Sequence, residues 1–153
     1  MLWMCNVGDL LLAIGLFFRQ TVLIRIAVIW MIPGFVVWFR FVLEWGLFFS
    51  SVLAHVGGIL VSIVAGKKVG MDRKAWLYAF GWYLLIQILS RLFTAADLNV
   101  NLSHKIQPGF ERVFNAYWQF WLTVAVATAF VLWLLAYVLA RLWPTPMPDV
   151  DKP

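Results

Sequence analysis

Cys5 and His55 are the two side chains of this sequence that could act together as a nucleophile and its base. A cysteine thiolate attacks acyl groups, and a histidine on a separate helix can accept the proton of the thiol. Arg91 or an asparagine would then stabilise the oxyanion or bind a lipid phosphate. Cys5 and His55 are therefore the candidate catalytic residues, and the reaction they indicate is acyl transfer.

Each of these residues also has a non-catalytic interpretation, which we rank first. A single cysteine in an apolar helix is usually a small packing residue, and a histidine there more often makes an interhelical hydrogen bond. Asp9 should pair with Arg40 or Arg91, because an unpaired charge in lipid is costly. These residues alone leave open whether the chain is an enzyme.

The interval 97–112, DLNVNLSHKIQPGFER, is the only long polar segment between apolar blocks. Long loops often bind ligands, but asparagines in a loop also cap its backbone and order it. We predict that this loop covers an outward-facing polar cleft. The candidate ligand-binding residues of that cleft are Asp9, Arg91, Asn99, Asn101 and His104.

The sequence does not indicate a metal or cofactor site. His55 and His104 are the only histidines and Cys5 is the only cysteine, with no HExxH or CxxC spacing. We expect no metal and no cofactor. The net charge of +5 comes from basic residues beside apolar blocks, where they anchor helix ends, so we expect no nucleic-acid partner.

The composition indicates an integral membrane protein. Of the 153 residues, 64% are hydrophobic and 12% are charged, against about 25% charged in soluble domains. A soluble chain of this length could not bury so much apolar surface, whereas lipid can cover it. We predict an all-α fold, a polytopic membrane helical bundle with about five transmembrane helices.

The apolar blocks predict one transmembrane domain over residues 1–143 and a disordered tail over 144–153. The predicted helices cover residues of about 2–18, 21–39, 46–66, 75–95 and 115–143, with a polar break at 40–45. Two polar stripes recur at helical spacing: Ser51, His55, Gly58 and Ser62, then Tyr83, Gln87, Arg91 and Thr94. Small and hydroxyl residues let helices approach closely in lipid, so the first stripe should face protein.

Charge asymmetry predicts the orientation. Five spans place eight basic residues on one side: Arg19, Arg25, Lys67, Lys68, Arg73, Lys74, Arg141 and Lys152. Four lie on the other: Arg40, Arg91, Lys105 and Arg112. The richer side should be cytoplasmic, with Arg25 snorkelling towards it. We therefore expect a bacterial inner-membrane protein with a cytoplasmic C-terminus and an outward-facing loop 97–112.

Several short segments resemble the YwaF-like family of small integral membrane proteins. They are WMCN opening a Leu-rich helix, LLAIGLFFRQ, IRIAVIWMIPG, FFSSVLAHVGG and LNVNLSHKIQPG. The resemblance places Cys5 and His55 at a membrane cysteine and a helix histidine, with which animal relatives are thought to acylate lysophospholipids. Trp3 stands where the family has a histidine, and one upstream helix of the family is missing. The first apolar run also begins without flanking polar residues, which suggests that the natural chain, or an ancestor, has further sequence upstream.

Three functions follow from these observations. The first is a non-catalytic accessory protein, or a binder of lipid or another apolar ligand, whose partners are membrane lipids or another membrane subunit. The second is a lipid acyltransferase that uses Cys5 and His55. The third is a small transporter with His55 and Arg91 on its pathway, although no repeat symmetry supports it.

Overall fold

The fold is a bundle of five helices. The computed structural model describes residues 3–145, except for the side chain of Trp45. Within that range no strand is present, and the helices are α1 Met4–Phe17, α2 Thr21–Trp45, α3 Phe49–Val69, α4 Ala75–Phe93 and α5 Tyr117–Leu142. The predicted all-α membrane helical bundle is confirmed. The predicted disordered tail falls, from residue 146 onwards, outside the described residues.

Four of these helices, α2 to α5, are long and apolar enough to cross a membrane. The remaining helix, α1, is apolar but has only 14 residues. At 1.5 Å per residue it is about 21 Å long, less than a hydrocarbon core of about 30 Å. Its buried Gly8 and Gly15 lie against Met31 and Ile24 of α2, so the two helices approach closely.

The predicted polar break at residues 40–45 is wrong. Helix α2 continues to Trp45, and Gly46, with a φ of +85°, follows its last turn. Arg40 and Glu44 form a salt bridge of 3.0 Å on the exposed helix surface. Charged pairs four residues apart support a helix, so the polar pair that suggested a break is compatible with continued helix.

Helix α2 is the centre of the bundle and contacts each of the other four helices. Its consecutive residues Ala27, Val28 and Ile29 are fully buried. The indole Nε1 of Trp30 donates a hydrogen bond of 3.1 Å to the carbonyl of Ala79 in α4. A helix that is buried on all sides reads as a continuous apolar run, which is how residues 26–32 appear in the sequence.

Helix α3 contains a π-helical turn at Leu53–Gly57, which includes His55. The prediction that the first polar stripe faces protein is confirmed. Ser51 Oγ accepts a hydrogen bond of 2.7 Å from Trp38 Nε1, and Ser62 is fully buried. The polar residues of α3 thus face α1 and α2, and leave its apolar residues for lipid.

We call the two ends of the bundle the basic end, with residues 67–74 and Arg141, and the loop end, with residues 97–112. At the basic end Arg25 donates hydrogen bonds of 2.9 and 3.3 Å to the carbonyls of Gly70 and Val69. Arg25 therefore caps the C-terminus of α3, instead of snorkelling to the surface as the sequence suggested. These carbonyls have no partner within the helix, which explains why they attract the guanidinium.

Candidate functional site

Asn99 closes the loop at the loop end of the bundle. Its Oδ1 accepts hydrogen bonds of 3.1 and 3.0 Å from the backbone N–H groups of His104 and Lys105. Its Nδ2 donates to the carbonyl of Lys105 at 3.1 Å. Asn99 has a φ of +43°, a left-handed conformation that asparagine tolerates better than most residues. The asparagine is therefore suited to this turn both by its backbone and by its side chain.

Ser90 of α4, which is fully buried, fastens the loop to the bundle. Its Oγ accepts a hydrogen bond of 2.9 Å from Asn101 Nδ2. Its carbonyl accepts from Thr94 Oγ1 at 2.6 Å and from His104 Nε2 at 3.2 Å. A carbonyl only accepts, so in this contact Nε2 of His104 carries the proton. Ser90 is not among the residues predicted from the sequence, although its small hydroxyl side chain lies on the face of Gln87 and Thr94.

The loop also connects α1 with α4. Asn101 Oδ1 accepts a hydrogen bond of 3.1 Å from the backbone N–H of Met4. The Asn101 carbonyl accepts one of 2.6 Å from Gln87 Nε2. Asn99, Asn101 and His104 thus all use polar atoms to order the loop, which was the alternative interpretation of the asparagines. Their predicted ligand-binding roles stay predictions.

A groove of about 580 Å³ lies beside the loop, between α4 and α5. This volume is within the usual range for ligand sites. Its lining is mostly apolar, and its residues are Leu84, Gln87, Ile88, Arg91, Ser103, Tyr117, Trp118 and Trp121. The sequence predicts a polar cleft beneath the loop. This groove is instead mostly apolar, and only Gln87, Arg91 and Ser103 form a small polar part of its lining.

Two polar atoms of the groove residues are buried without a hydrogen-bond partner. They are Oε1 of Gln87 and Oγ of Ser103, whose residues are 4% and 1% exposed. A buried polar atom without a partner costs about 1–3 kcal/mol. Such atoms are uncommon in folded proteins, so each calls for an explanation.

Arg91 is exposed at the rim of this groove. Its Nη1 donates a hydrogen bond of 3.2 Å to the carbonyl of Ser103, and its guanidinium lies 5.3 Å from the centre of the Tyr117 ring. The Tyr117 hydroxyl in turn donates to the carbonyl of Leu102 at 3.1 Å. The guanidinium is thus held in place by the loop and by α5, yet it forms no salt bridge with any described carboxylate.

Comparison with protein-family models, with curated proteins and with solved structures finds no match to this chain. The resemblance to the YwaF-like family stays a prediction, and so do the roles it implies for Cys5 and His55. Within residues 3–145, His, Cys, Asp and Glu side chains do not gather in groups of three or more that could hold a metal ion.

The other predicted site residues lie elsewhere, where α1 packs on α2 and α3. Cys5 lies against α2, with its Sγ 3.4 Å from the position that a Cβ of Gly34 would occupy. The His55 ring stacks on Trp38 with 5.0 Å between centroids and an interplanar angle of 10°. His55 Nδ1 donates to the carbonyl of Ser51 at 2.9 Å. Of the predicted residues, the groove is lined by Arg91 but not by Cys5, Asp9 or His55.

The predicted pairing of Asp9 with Arg40 or Arg91 is wrong. Arg40 binds Glu44 on its own helix, because α2 continues past residue 40. Arg91 faces α5 and the loop. Asp9 instead lies against Gly58 of α3.

No hydrogen bond joins the Cys5 thiol to the His55 ring in the described residues. Nucleophilic catalysis by such a pair needs the base within hydrogen-bond reach of the thiol. The arrangement around Cys5 and His55 therefore gives acyl transfer no specific support, and the catalytic roles of both residues remain predictions.

Proposed function

We propose that this chain is a non-catalytic membrane protein that binds an amphiphilic lipid in the groove between α4 and α5. The observation that carries the proposal is the mostly apolar groove, whose rim holds Arg91 and whose lining includes Ser103, a residue with a buried hydroxyl that has no hydrogen-bond partner. An amphiphile has the matching chemistry, since one part of it is apolar and the other forms hydrogen bonds.

The apolar part of the groove suits an acyl chain. Leu84, Ile88, Trp118 and Trp121 provide its aliphatic and aromatic walls. Ligand sites of this kind are mostly apolar, with a few polar groups that fix the orientation of the ligand. The groove is partly open to the surface of the protein, which allows a lipid to enter it.

The polar part suits a headgroup. Arg91 supplies charged donors that bind a phosphate or a carboxylate, and the Ser103 hydroxyl can donate or accept beside it. Gln87 is weaker support, because the hydroxyl of Tyr83 also lacks a partner and lies near Gln87. A small rotation would let Tyr83 and Gln87 satisfy each other, so the proposal rests on Ser103 and Arg91.

The side of the membrane is part of the same proposal. The basic end contains most of the Lys and Arg residues, which supports its placement in the cytoplasm of a bacterial cell. The groove would then open to the outer leaflet. Cysteine-accessibility labelling of single-cysteine variants at Lys68 and Arg112 tests this orientation, because a membrane-impermeant reagent should label only position 112 in intact cells.

The test of lipid binding uses purified protein in lipid nanodiscs, with lipids retained after transfer to detergent measured by mass spectrometry. Arg91→Gln should lower retention about tenfold, the effect of losing one charge-assisted contact. Arg112→Gln removes the same charge from an exposed position of the loop end outside the groove and should leave retention unchanged.

A pair of bulky substitutions on α4 tests the groove itself. Ile88→Trp fills the groove, whereas Leu77→Trp adds the same side chain to an exposed position that does not line it. Lipid retention should fall only for Ile88→Trp. Equal retention in all variants, or a copurifying protein that occupies the groove without lipid, would overturn the proposal.

A further inference from the structure

Two arginines lie against one tyrosine ring at the basic end, away from the groove. Arg73, in the turn between α3 and α4, has its guanidinium 5.6 Å from the centre of the Tyr137 ring. The guanidinium of Arg141, in the last turn of α5, is 4.8 Å from the same ring. Each contact is a cation–π interaction, so one aromatic side chain positions two positive charges.

The two segments that carry these arginines are tied to each other. The backbone N–H of Met71 donates a hydrogen bond of 2.7 Å to the carbonyl of Trp143. The hydroxyl of Thr145 donates to the carbonyl of Met71 at 3.2 Å. Arg73 follows Met71 by two residues and Arg141 precedes Trp143 by two, so these bonds join the two backbone segments from which both arginines reach the Tyr137 ring.

The charge of this end is uncompensated within the described residues. Its basic side chains are Arg19, Arg25, Lys67, Lys68, Arg73, Lys74 and Arg141, and its acidic one is Asp72. The carboxylate of Asp72 accepts a hydrogen bond of 2.8 Å from the backbone N–H of Lys74. In residues 3–145 the single salt bridge, Arg40 with Glu44, lies at the loop end. Two like charges against one ring, with no salt bridge to a carboxylate among the described residues, favour the binding of an anion.

We infer that Arg73, Arg141 and Tyr137 form a binding site for a phosphate group, supplied by an anionic phospholipid of the leaflet at the basic end. Guanidinium groups bind phosphate oxygens through paired, charge-assisted hydrogen bonds. A tyrosine near a helix end suits the headgroup level of a membrane, where the phosphates of lipids lie. This site is separate from the groove and does not depend on its function.

The experiment compares lipid retention in nanodiscs that contain phosphatidylglycerol and phosphatidylcholine. Wild-type protein should retain phosphatidylglycerol selectively. Arg73→Gln and Arg141→Gln should each reduce this selectivity about tenfold, the loss expected for a charge-assisted contact. Lys68→Gln removes an equal charge from an exposed residue of the same end and should preserve the selectivity.

Substitutions of Tyr137 distinguish a specific phosphate site from a general attraction of anionic lipids to positive charge. Tyr137→Leu keeps the net charge but removes the ring that positions both arginines, so selectivity should fall. Tyr137→Phe keeps the ring and should bind as the wild type does, which also controls for folding. If Tyr137→Leu retains full selectivity, or if Lys68→Gln loses as much as Arg141→Gln, the proposal is overturned.

A further arm distinguishes the source of the phosphate. Delipidated protein in neutral detergent is titrated with inorganic phosphate, and Arg141→Gln serves as the comparison. Tight binding that needs Arg141, without selectivity for phosphatidylglycerol, assigns the site to a free phosphate and overturns the lipid as its source. Selectivity for phosphatidylglycerol with weak binding of inorganic phosphate supports the lipid. Absence of both overturns the site.

Discussion

Asp9 of α1 lies so close to Gly58 of α3 that a Cβ at position 58 would overlap its carboxylate oxygen. The same Cβ would overlap the terminal methyl group of Met31 in α2. Gly58 is therefore the point at which α1, α2 and α3 meet. His55 precedes Gly58 by three residues and so lies about one turn away on the same helix. The one carboxylate of α1 thus depends on a residue without a side chain for its position.

Gly58→Ala should destabilise the bundle by about 1–3 kcal/mol, because the added methyl group must displace Asp9 or Met31. Gly81→Ala is the matched control, since position 81 of α4 has no neighbouring atom within 4 Å of an added Cβ. Alanine there should stabilise the helix by about 0.5–1 kcal/mol. Thermal unfolding in detergent measures both, and equal effects of the two substitutions would contradict the close contact at Gly58.

Asp9→Asn should raise the stability by up to about 3 kcal/mol, because a carboxylate within an apolar helix is costly when it forms no salt bridge. Asparagine has nearly the same shape and keeps the fit against Gly58. Glu44→Gln is the control: Glu44 is exposed and paired, so the change should be small. If Asp9→Asn lowers the unfolding temperature instead, the charge of Asp9 stabilises the bundle.

Cys5→Ala should leave lipid retention unchanged and cost about 1 kcal/mol or less, because it removes one polarizable atom that packs against Gly34. His55→Ala should cost more, since it also removes the stacking on Trp38 and the hydrogen bond to Ser51. A thioester detected on Cys5 by mass spectrometry, and absent in Cys5→Ala, would instead favour the acyltransferase alternative.

The helical features that could be predicted are those that depend on local spacing. Ser51, His55, Gly58 and Ser62 recur on one face, so the sequence alone shows that this face packs on protein. The predicted break at Arg40 and Glu44 is wrong because composition does not distinguish two charged residues in a loop from two that form a salt bridge one turn apart on a helix.

The site was harder to predict, because sequence gives the depth of a residue in the membrane but not its position around the bundle. The sequence predicts Arg91 as a partner of Cys5 and His55 in acyl transfer. The structure places His55 beside α1 and α2, and Arg91 beside α5 and the loop. The role of Ser90 depends on hydrogen bonds to Asn101 and His104. Both residues lie in the loop after α4, and the sequence does not show how that loop folds back onto the helix.

Asn101→Ala should detach the loop from α1 and α4, at a cost of about 2–3 kcal/mol. The substitution removes the hydrogen bonds to Met4 and Ser90, so the buried Ser90 hydroxyl loses the donor that Asn101 supplies. Part of the cost comes from the backbone, since Asn101 has a φ of +54°. Asn101→Gly removes the side chain but permits this φ, so it isolates the contribution of the hydrogen bonds.

Hydrogen exchange of residues 97–112 measures the detachment directly. Asn101→Ala and Asn101→Gly should both increase exchange across the loop. Asn115→Ala, at an exposed position just before α5, should leave it as in the wild type. Unchanged protection in Asn101→Gly would mean that the side chain of Asn101 does not hold the loop.

Arg25→Lys distinguishes helix capping from snorkelling at the basic end. A lysine reaches the membrane surface as well as an arginine does, so a snorkelling residue would tolerate the change. A capping arginine would not, because Nε and Nη2 of Arg25 donate to two different carbonyls and a single ammonium cannot reproduce this planar pair of donors. We expect Arg25→Lys to destabilise the protein by about 1–3 kcal/mol and Arg25→Met to destabilise it further.

Arg19→Lys is the control for this prediction. Arg19 is exposed in the α1–α2 turn, so the change should have little effect on the unfolding temperature. Equal unfolding temperatures for Arg25→Lys and Arg19→Lys would show that capping by Arg25 adds nothing to stability.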